Sequence, residues 1–95
     1  MDVFYTYILA GRRNGVLYTG STDDLLKRVM EHREKLRGGF AAKYEVSRLV
    51  WYEHHGTRDE AFRRERQIKE WRRAWKLDLI ERMNPAWDDL LPTLL

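Results

Sequence analysis

The sequence predicts a small α/β (α+β) domain: a three-stranded antiparallel sheet flanked by helices, in the order β-β-α-β-α-α. Three observations carry this. An N-terminal run of β-branched and aromatic residues leads into an Asn-Gly turn, which is a hairpin signal. Two later segments open with helix-capping chemistry. The chain has 95 residues, room for one core and hence for a single domain over 1–95.

The elements follow in order. Val3 to Ala10 reads as the first strand, Gly11 to Gly15 as a polar turn, and Val16 to Thr19 as the returning strand, stopping at Gly20. Ser21-Thr22-Asp23-Asp24 supplies capping hydroxyls and first-turn carboxylates. A helix from about Asp23 to Leu36 is then expected, with Leu25, Val29 and Leu36 on one face. Gly38-Gly39 ends it, a basic loop runs through Lys43, and Ser47 to His55 has a strand's composition. Thr57-Arg-Asp-Glu60 has the spacing of a capping box. It opens a helical region that sets Ala61, Ile68, Trp75 and Leu79 on one face, with a break expected near Trp71 to Arg73. Asn84-Pro85 ends that region, because the residue before a proline is pushed out of the α conformation. The apolar tail from Trp87 to Leu95 is expected to close over its own core.

Composition narrows the function classes. Hydrophobic residues make up 43%, with 2 Pro and 6 Gly, which excludes disordered and fibrous proteins. The absence of cysteine excludes a disulfide framework, a zinc knuckle and a thiol nucleophile, so any metal must be held by oxygen or imidazole. No run approaches the ~18 apolar residues of a membrane span, and Met1-Asp2-Val3-Phe4 lacks a signal peptide's basic region. A cytoplasmic protein with no membrane partner is expected. The net charge is +3, unevenly spread. Arg63, Arg64, Arg66, Lys69, Arg72, Arg73 and Lys76 share a short stretch with only Glu65 and Glu70. Such a stripe is either a solvated helix face or the footprint of a polyanion.

Three features break the expected patterns. Glu65 lies about 40° from the centre of the apolar stripe at ~100° per residue, where a carboxylate must be paired, hydrogen-bonded or bound to a cation. An ion pair with Lys69, one turn on, and a metal site are both open. Arg28 and His32 are spaced i, i+4 at the edge of the first helix's apolar stripe, as snorkelling and core-edge side chains or as a phosphate clamp. Tyr5 and Tyr7 share a strand face, with Tyr18 in the partner strand, so two or three phenols can meet on one patch of sheet.

Taken together, Tyr5-Thr6-Tyr7, Tyr18-Thr19-Gly20, Arg28, His32, Glu65 and Asn84 in that order resemble the GIY-YIG nuclease domain, in its compact single-domain branch. The name-giving triplets depart in their first glycine and both isoleucines, which touches strand packing more than chemistry. The resemblance implies that Tyr7 and Tyr18 are the tyrosines of the two motif halves. It also implies that Arg28 faces phosphate, His32 is an active-site partner, Glu65 binds the metal and Asn84 is a site-orienting amide. The implied activity is a divalent-metal-dependent endonuclease that hydrolyses phosphodiester bonds of DNA. One carboxylate cannot support a two-metal clamp, but it can hold one Mg²⁺ or Mn²⁺ that keeps most of its waters. Tyr7 or Tyr18 would then act as the base and His32 as a proton shuttle.

Nucleic acid, DNA before RNA, is the expected partner. Arg28, Arg37, Lys43, Arg63, Arg66, Lys69 and Arg73 are the expected contacts, and Arg66 and Arg73 are expected to point to solvent. With no appended recognition domain, phosphate contacts outnumber base contacts and intrinsic sequence specificity is low unless a protein partner targets the domain. A monomer is expected. The alternative is a nucleic-acid-binding module on the same scaffold with a weak or idle site.

Overall fold

The computed structural model describes residues 3–34 and 46–95. The described elements are β1 (Phe4–Ala10), β2 (Leu17–Thr22), α1 (Leu25–Arg33), β3 (Arg48–His55), α2 (Arg58–Glu70), α3 (Arg73–Met83) and a closing 3₁₀ turn, Leu91–Leu94. The three strands form one antiparallel sheet in the order β2-β1-β3, so the predicted fold class and element order hold. The expected extension of α1 to Leu36, and the loop carrying Arg37 and Lys43, lie outside the described residues.

Strand alternation divides the core in two. From β1, Tyr7 and Leu9 point to one face and join Leu25 and Val29 of α1, Val46, Leu49 and Leu91. Ile8 and Ala10 point to the other face and join Ile68 of α2, Ile80 of α3, Val50, Trp51 and Trp87. A bulge between Ile8 and Leu9 lets Leu9 oppose Leu49 while Ile8 opposes Trp51. The extra residue, Val50, thereby joins its neighbour Trp51 in the second core. Buried Thr6 pins α2 to the sheet by donating to the carbonyl of Ala61 at 2.8 Å.

The turns and caps follow local chemistry. Asn14 takes a positive φ of 58°, and Gly15 N donates to Arg12 O at 2.9 Å to close the hairpin. Thr57 caps α2 by accepting from Glu60 N, and its hydroxyl donates to the Glu60 carboxylate. α2 ends at Trp71 and α3 begins after Arg72, two residues with extended ψ of 153° and 151°, where a break was expected.

Three expectations need correction. β2 does not stop at Gly20 but runs on to Thr22, because the register with β1 continues through Tyr7↔Gly20, Thr6↔Ser21 and Tyr5↔Thr22. The α1 cap is therefore Asp24, which accepts from Lys27 N, and the first turn holds no carboxylate. Trp75 does not share the buried face of Ala61 and Ile68; it is 49% exposed. The extended pair at 71–72 resets the helical phase, so a wheel carried across it from α2 misplaces Trp75, although Leu79 still packs on the second core with Ile68 as expected.

The tail behaves as expected. Leu91 is buried, and Leu90 and Leu94 pack on the first core beneath α1. Among the described residues, no helix is long and apolar enough to cross a membrane.

Candidate active site

The site is assembled where β2, an edge strand, faces α1 on one side and α2 on the other. Tyr7 is the hub. It is fully buried, and its side chain lies across Gly20, its partner in the sheet. A β-carbon at Gly20 would sit 2.6 Å from Tyr7 Oη and 2.7 Å from Cζ, so the ring reaches the strand edge only because position 20 has no side chain. The Tyr7 hydroxyl lies 3.4 Å from His32 Nε2 and shares a hydrogen bond with Tyr18. The three rings form one cluster, with centroids 6.3 Å apart for Tyr7 with Tyr18, 6.3 Å for Tyr7 with His32 and 5.0 Å for Tyr18 with His32.

Electrostatics tie two more residues to this hub. Burial is the main force holding the Tyr7 phenol above its ordinary value, and Tyr18 adds to it. The Arg28 guanidinium pulls it down and the Glu65 carboxylate pushes it further up. Tyr7 is accordingly a neutral phenol at pH 7. Tyr18 is only half-buried and is the phenol of the pair that meets solvent.

Glu65 occupies the other face. It is buried, 9% exposed, and both carboxylate oxygens are engaged. Ser21 Oγ donates to Oε1 at 2.6 Å, and Lys69 Nζ donates to Oε2 at 2.5 Å. The ion-pair reading of this residue thus holds in part, with a hydroxyl as second partner. Ser21 was missed by sequence reasoning because it was assigned to a helix cap. Only the extension of β2 past Gly20 turns it toward α2. Arg28 pairs with Glu31 at 3.3 Å, and both line a polar cleft of about 350 Å³ with Thr22, Asp23, Asp24 and Lys27. The clamp imagined between Arg28 and His32 does not form, because His32 is turned inward to the tyrosines.

Other expected residues go elsewhere. Tyr5 leaves the phenol cluster and packs edge-on against Tyr52 and beside His54. Asn84 caps α3 against β3, at the opposite edge of the sheet from β2. Its Nδ2 donates to Val50 O and Asp88 O at 3.1 and 2.8 Å, and its Oδ1 accepts from Asp88 N at 3.0 Å. Every polar atom of that amide is spent on the backbone, which makes it a structural clamp and not a site-orienting group. In the basic stripe, Arg63 pairs with Asp59 and Lys69 with Glu65, while Arg66 is exposed. Arg73 is exposed as expected, and its guanidinium also grips the hairpin turn through the carbonyls of Asn14 and Gly15, both at 2.7 Å.

The donor set fits one kind of metal. Mg²⁺ is usually held by one or two carboxylates and keeps several waters, the substrate's phosphate supplying further oxygen. Glu65, anchored by Ser21, offers one such carboxylate. Among the described residues no three His, Asp or Glu side chains gather into a cage, so a site made wholly of protein ligands does not fit.

Comparison with known proteins agrees with this architecture. Residues 3–78 match the model of the GIY-YIG catalytic domain, and the chain belongs to the GIY-YIG family. It is 40% identical over 84 residues to the UPF0213 protein SSP2268 of Staphylococcus saprophyticus, covering 84% of this chain and 96% of that protein. A UPF0213 protein of Staphylococcus epidermidis is 38% identical over 85 residues, covering 85% of this chain and 98% of that one. The solution NMR structure of the UPF0213 protein BH0048 from Bacillus halodurans superposes with a TM-score of 0.55 at 28% identity, covering 92% of each chain. The family is one of nuclease-like domains, with nucleic acid as the class of partner.

Proposed function

We propose that this protein is a divalent-metal-dependent endonuclease that hydrolyses phosphodiester bonds of DNA with low intrinsic sequence specificity. One observation carries the reading most directly. The Tyr7 phenol is hydrogen-bonded to Tyr18 and His32 and feels the charges of both Arg28 and Glu65, so five side chains from β1, β2, α1 and α2 act on one locus.

The chain's own residues divide the work. Tyr18 is the phenol that the attacking water can reach. The proton it takes has an onward path through the Tyr7 hydroxyl to His32 Nε2. Arg28 meets the non-bridging oxygens of the phosphate, its guanidinium offering paired donors in a polar cleft. Glu65 would hold one Mg²⁺ or Mn²⁺, which when bound supplies Lewis-acid stabilisation of the charge that develops on the phosphoryl group. Ser21 fixes the carboxylate's orientation through one oxygen, and Lys69 pairs with the other.

Glu65→Gln tests this. Glutamine keeps the volume and an acceptor for Ser21, while the charge that a hard cation requires is gone. Cleavage of labelled DNA in Mg²⁺ or Mn²⁺ should fall by at least about 10²-fold, since Lewis-acid stabilisation is worth several kcal/mol. The thermal melt should stay within a few degrees. A folded variant that cuts at the wild-type rate removes Glu65 from the metal. A wild-type chain that binds DNA and never cuts it is a binding module.

A further inference from the structure

Across the joint between α2 and α3 lies a surface that the proposed chemistry does not use. Trp75 is 49% exposed, and Trp71, half-buried, meets it edge to face with centroids 6.1 Å apart and planes at 80°. The Arg72 guanidinium lies 4.8 Å from the centre of the Trp75 ring, and that of Arg64 lies 5.3 Å from the Trp71 ring. Beside the rings opens a groove of about 430 Å³ lined by Arg64, Trp71, Trp75, Asp78, Leu79 and Arg82.

Two facts select an occupant. The first is charge: Arg64 is neutralised by Glu53 and Arg82 by Asp78, whereas Arg72, Arg73 and Lys76 form no ion pair with any described residue. The joint therefore pairs aromatic faces with a surplus of positive charge, which complements a phosphate backbone and not a neutral apolar helix. The second is the form of the aromatic surface. Trp75 keeps about half of its surface, 49%, open to solvent beside the Arg72 guanidinium, and a base can stack on such a ring only when it is not already stacked inside a duplex.

We infer that Trp75, with Trp71 and Arg72, is a stacking site for unpaired nucleotides of a DNA strand, separate from the Tyr7–Glu65 locus. The separation is structural: Arg64 leads from this groove to Glu53 and Trp51 on β3, while Glu65 turns to Ser21 on β2, at the opposite edge. The inference rests on nucleic acid being the partner, as proposed above, but not on cleavage.

The test measures binding in EDTA, where no metal-dependent cleavage occurs. Wild type, Trp75→Ala and Trp75→Phe are titrated against labelled oligo(dT) and against a duplex of equal length, at several salt concentrations. Trp75→Ala should weaken oligo(dT) binding at least about fivefold, the lower end of what losing one stacked base costs. Trp75→Phe should recover most of it, and duplex binding should change less than twofold. The salt slope should stay constant, because no phosphate contact is lost. Equal binding of oligo(dT) by wild type and Trp75→Ala, with thermal melts unchanged, overturns the stacking site and leaves the nucleic-acid reading intact. A wild type that binds neither oligonucleotide overturns both. Sedimentation of the same proteins decides the remaining occupant: a wild-type dimer that Trp75→Ala dissociates assigns the surface to a second copy of this chain and overturns the inference.

Discussion

At position 20 even a methyl group would begin 2.6 Å from the Tyr7 hydroxyl and 3.1 Å from the Tyr18 ring, and this close approach is what lets a fully buried phenol act at the edge of the sheet. The same residue scale governs Glu65. Its carboxylate is held by an ammonium at 2.5 Å, whose charge opposes that of a cation arriving there. Glu65 is buried, but Lys69 is about half-exposed, so water screens the pair and brings it near the worth of a surface ion pair, about 1 kcal/mol. On the proposed reading, Lys69→Met should therefore tighten Mn²⁺ binding about two- to fivefold. It keeps the methylene stem over α2 and removes the competing charge. Calorimetric titration of Mn²⁺ into both proteins, without nucleic acid, checks this; weaker binding in the variant would mean that Lys69 helps to build the metal site. The sequence exposed Glu65 as an anomaly because a charge inside an apolar stripe is visible on a helical wheel. Ser21 was invisible because its role depends on which way an edge strand continues, and a Ser-Thr-Asp-Asp run before a helix reads equally well as a cap.

At the scale of elements, legibility followed how local the determining interaction is. The hairpin turn and the Thr57 capping box are settled within four or five residues, and both were read correctly. Trp75 was not, since its placement depends on the angle at which α3 leaves α2 after two extended residues, and no periodicity survives such a joint. Asn84 shows the converse error: a position matched by family resemblance proved to serve the fold. It ties the end of α3 to β3 and to the chain leaving toward Trp87, whose positive φ of 58° that anchored turn must accommodate. Asn84→Ala leaves the buried carbonyl of Val50 without this donor, together with two further lost bonds, at a cost of about 2–3 kcal/mol. The expected result is a clear drop in denaturant midpoint, with cleavage per folded molecule largely retained. Collapse of cleavage at an unchanged midpoint would return Asn84 to the active site.

At the scale of the whole molecule, a three-stranded sheet with a small core on each face is stable only if both faces stay covered, and the C-terminal segment secures the α1 face. Asp89 is its latch. Arg33 at the end of α1 donates to Oδ2, while Leu49 N on β3 and Leu91 N in the closing turn donate to Oδ1. Leu90 N reaches Leu49 O at 2.8 Å. One carboxylate thus joins α1, β3 and the turn that seats Leu91 in the core. Burial pushes the Asp89 carboxyl up, but the hydrogen bond from Arg33, the Leu91 and Leu49 amides and the Arg33 charge together hold it below the usual carboxylate range. The sign follows: a carboxyl whose folded value is depressed stabilises the fold above its unfolded value of about 3.9, and loses that contribution as pH falls through the folded value. Asp89→Asn should therefore melt lower than wild type at pH 7, by about 4–8 °C for a loss of about 1 kcal/mol, since the side chain is a third exposed and water screens the pair. The gap should persist down to about pH 4 and close below it, as wild type protonates and loses the same interaction. Melts of both proteins between pH 2.5 and 7 decide the matter. A gap of constant size across that range would mean that the Asp89 charge contributes nothing, and that the closing turn is held by Leu91 and its neighbours alone.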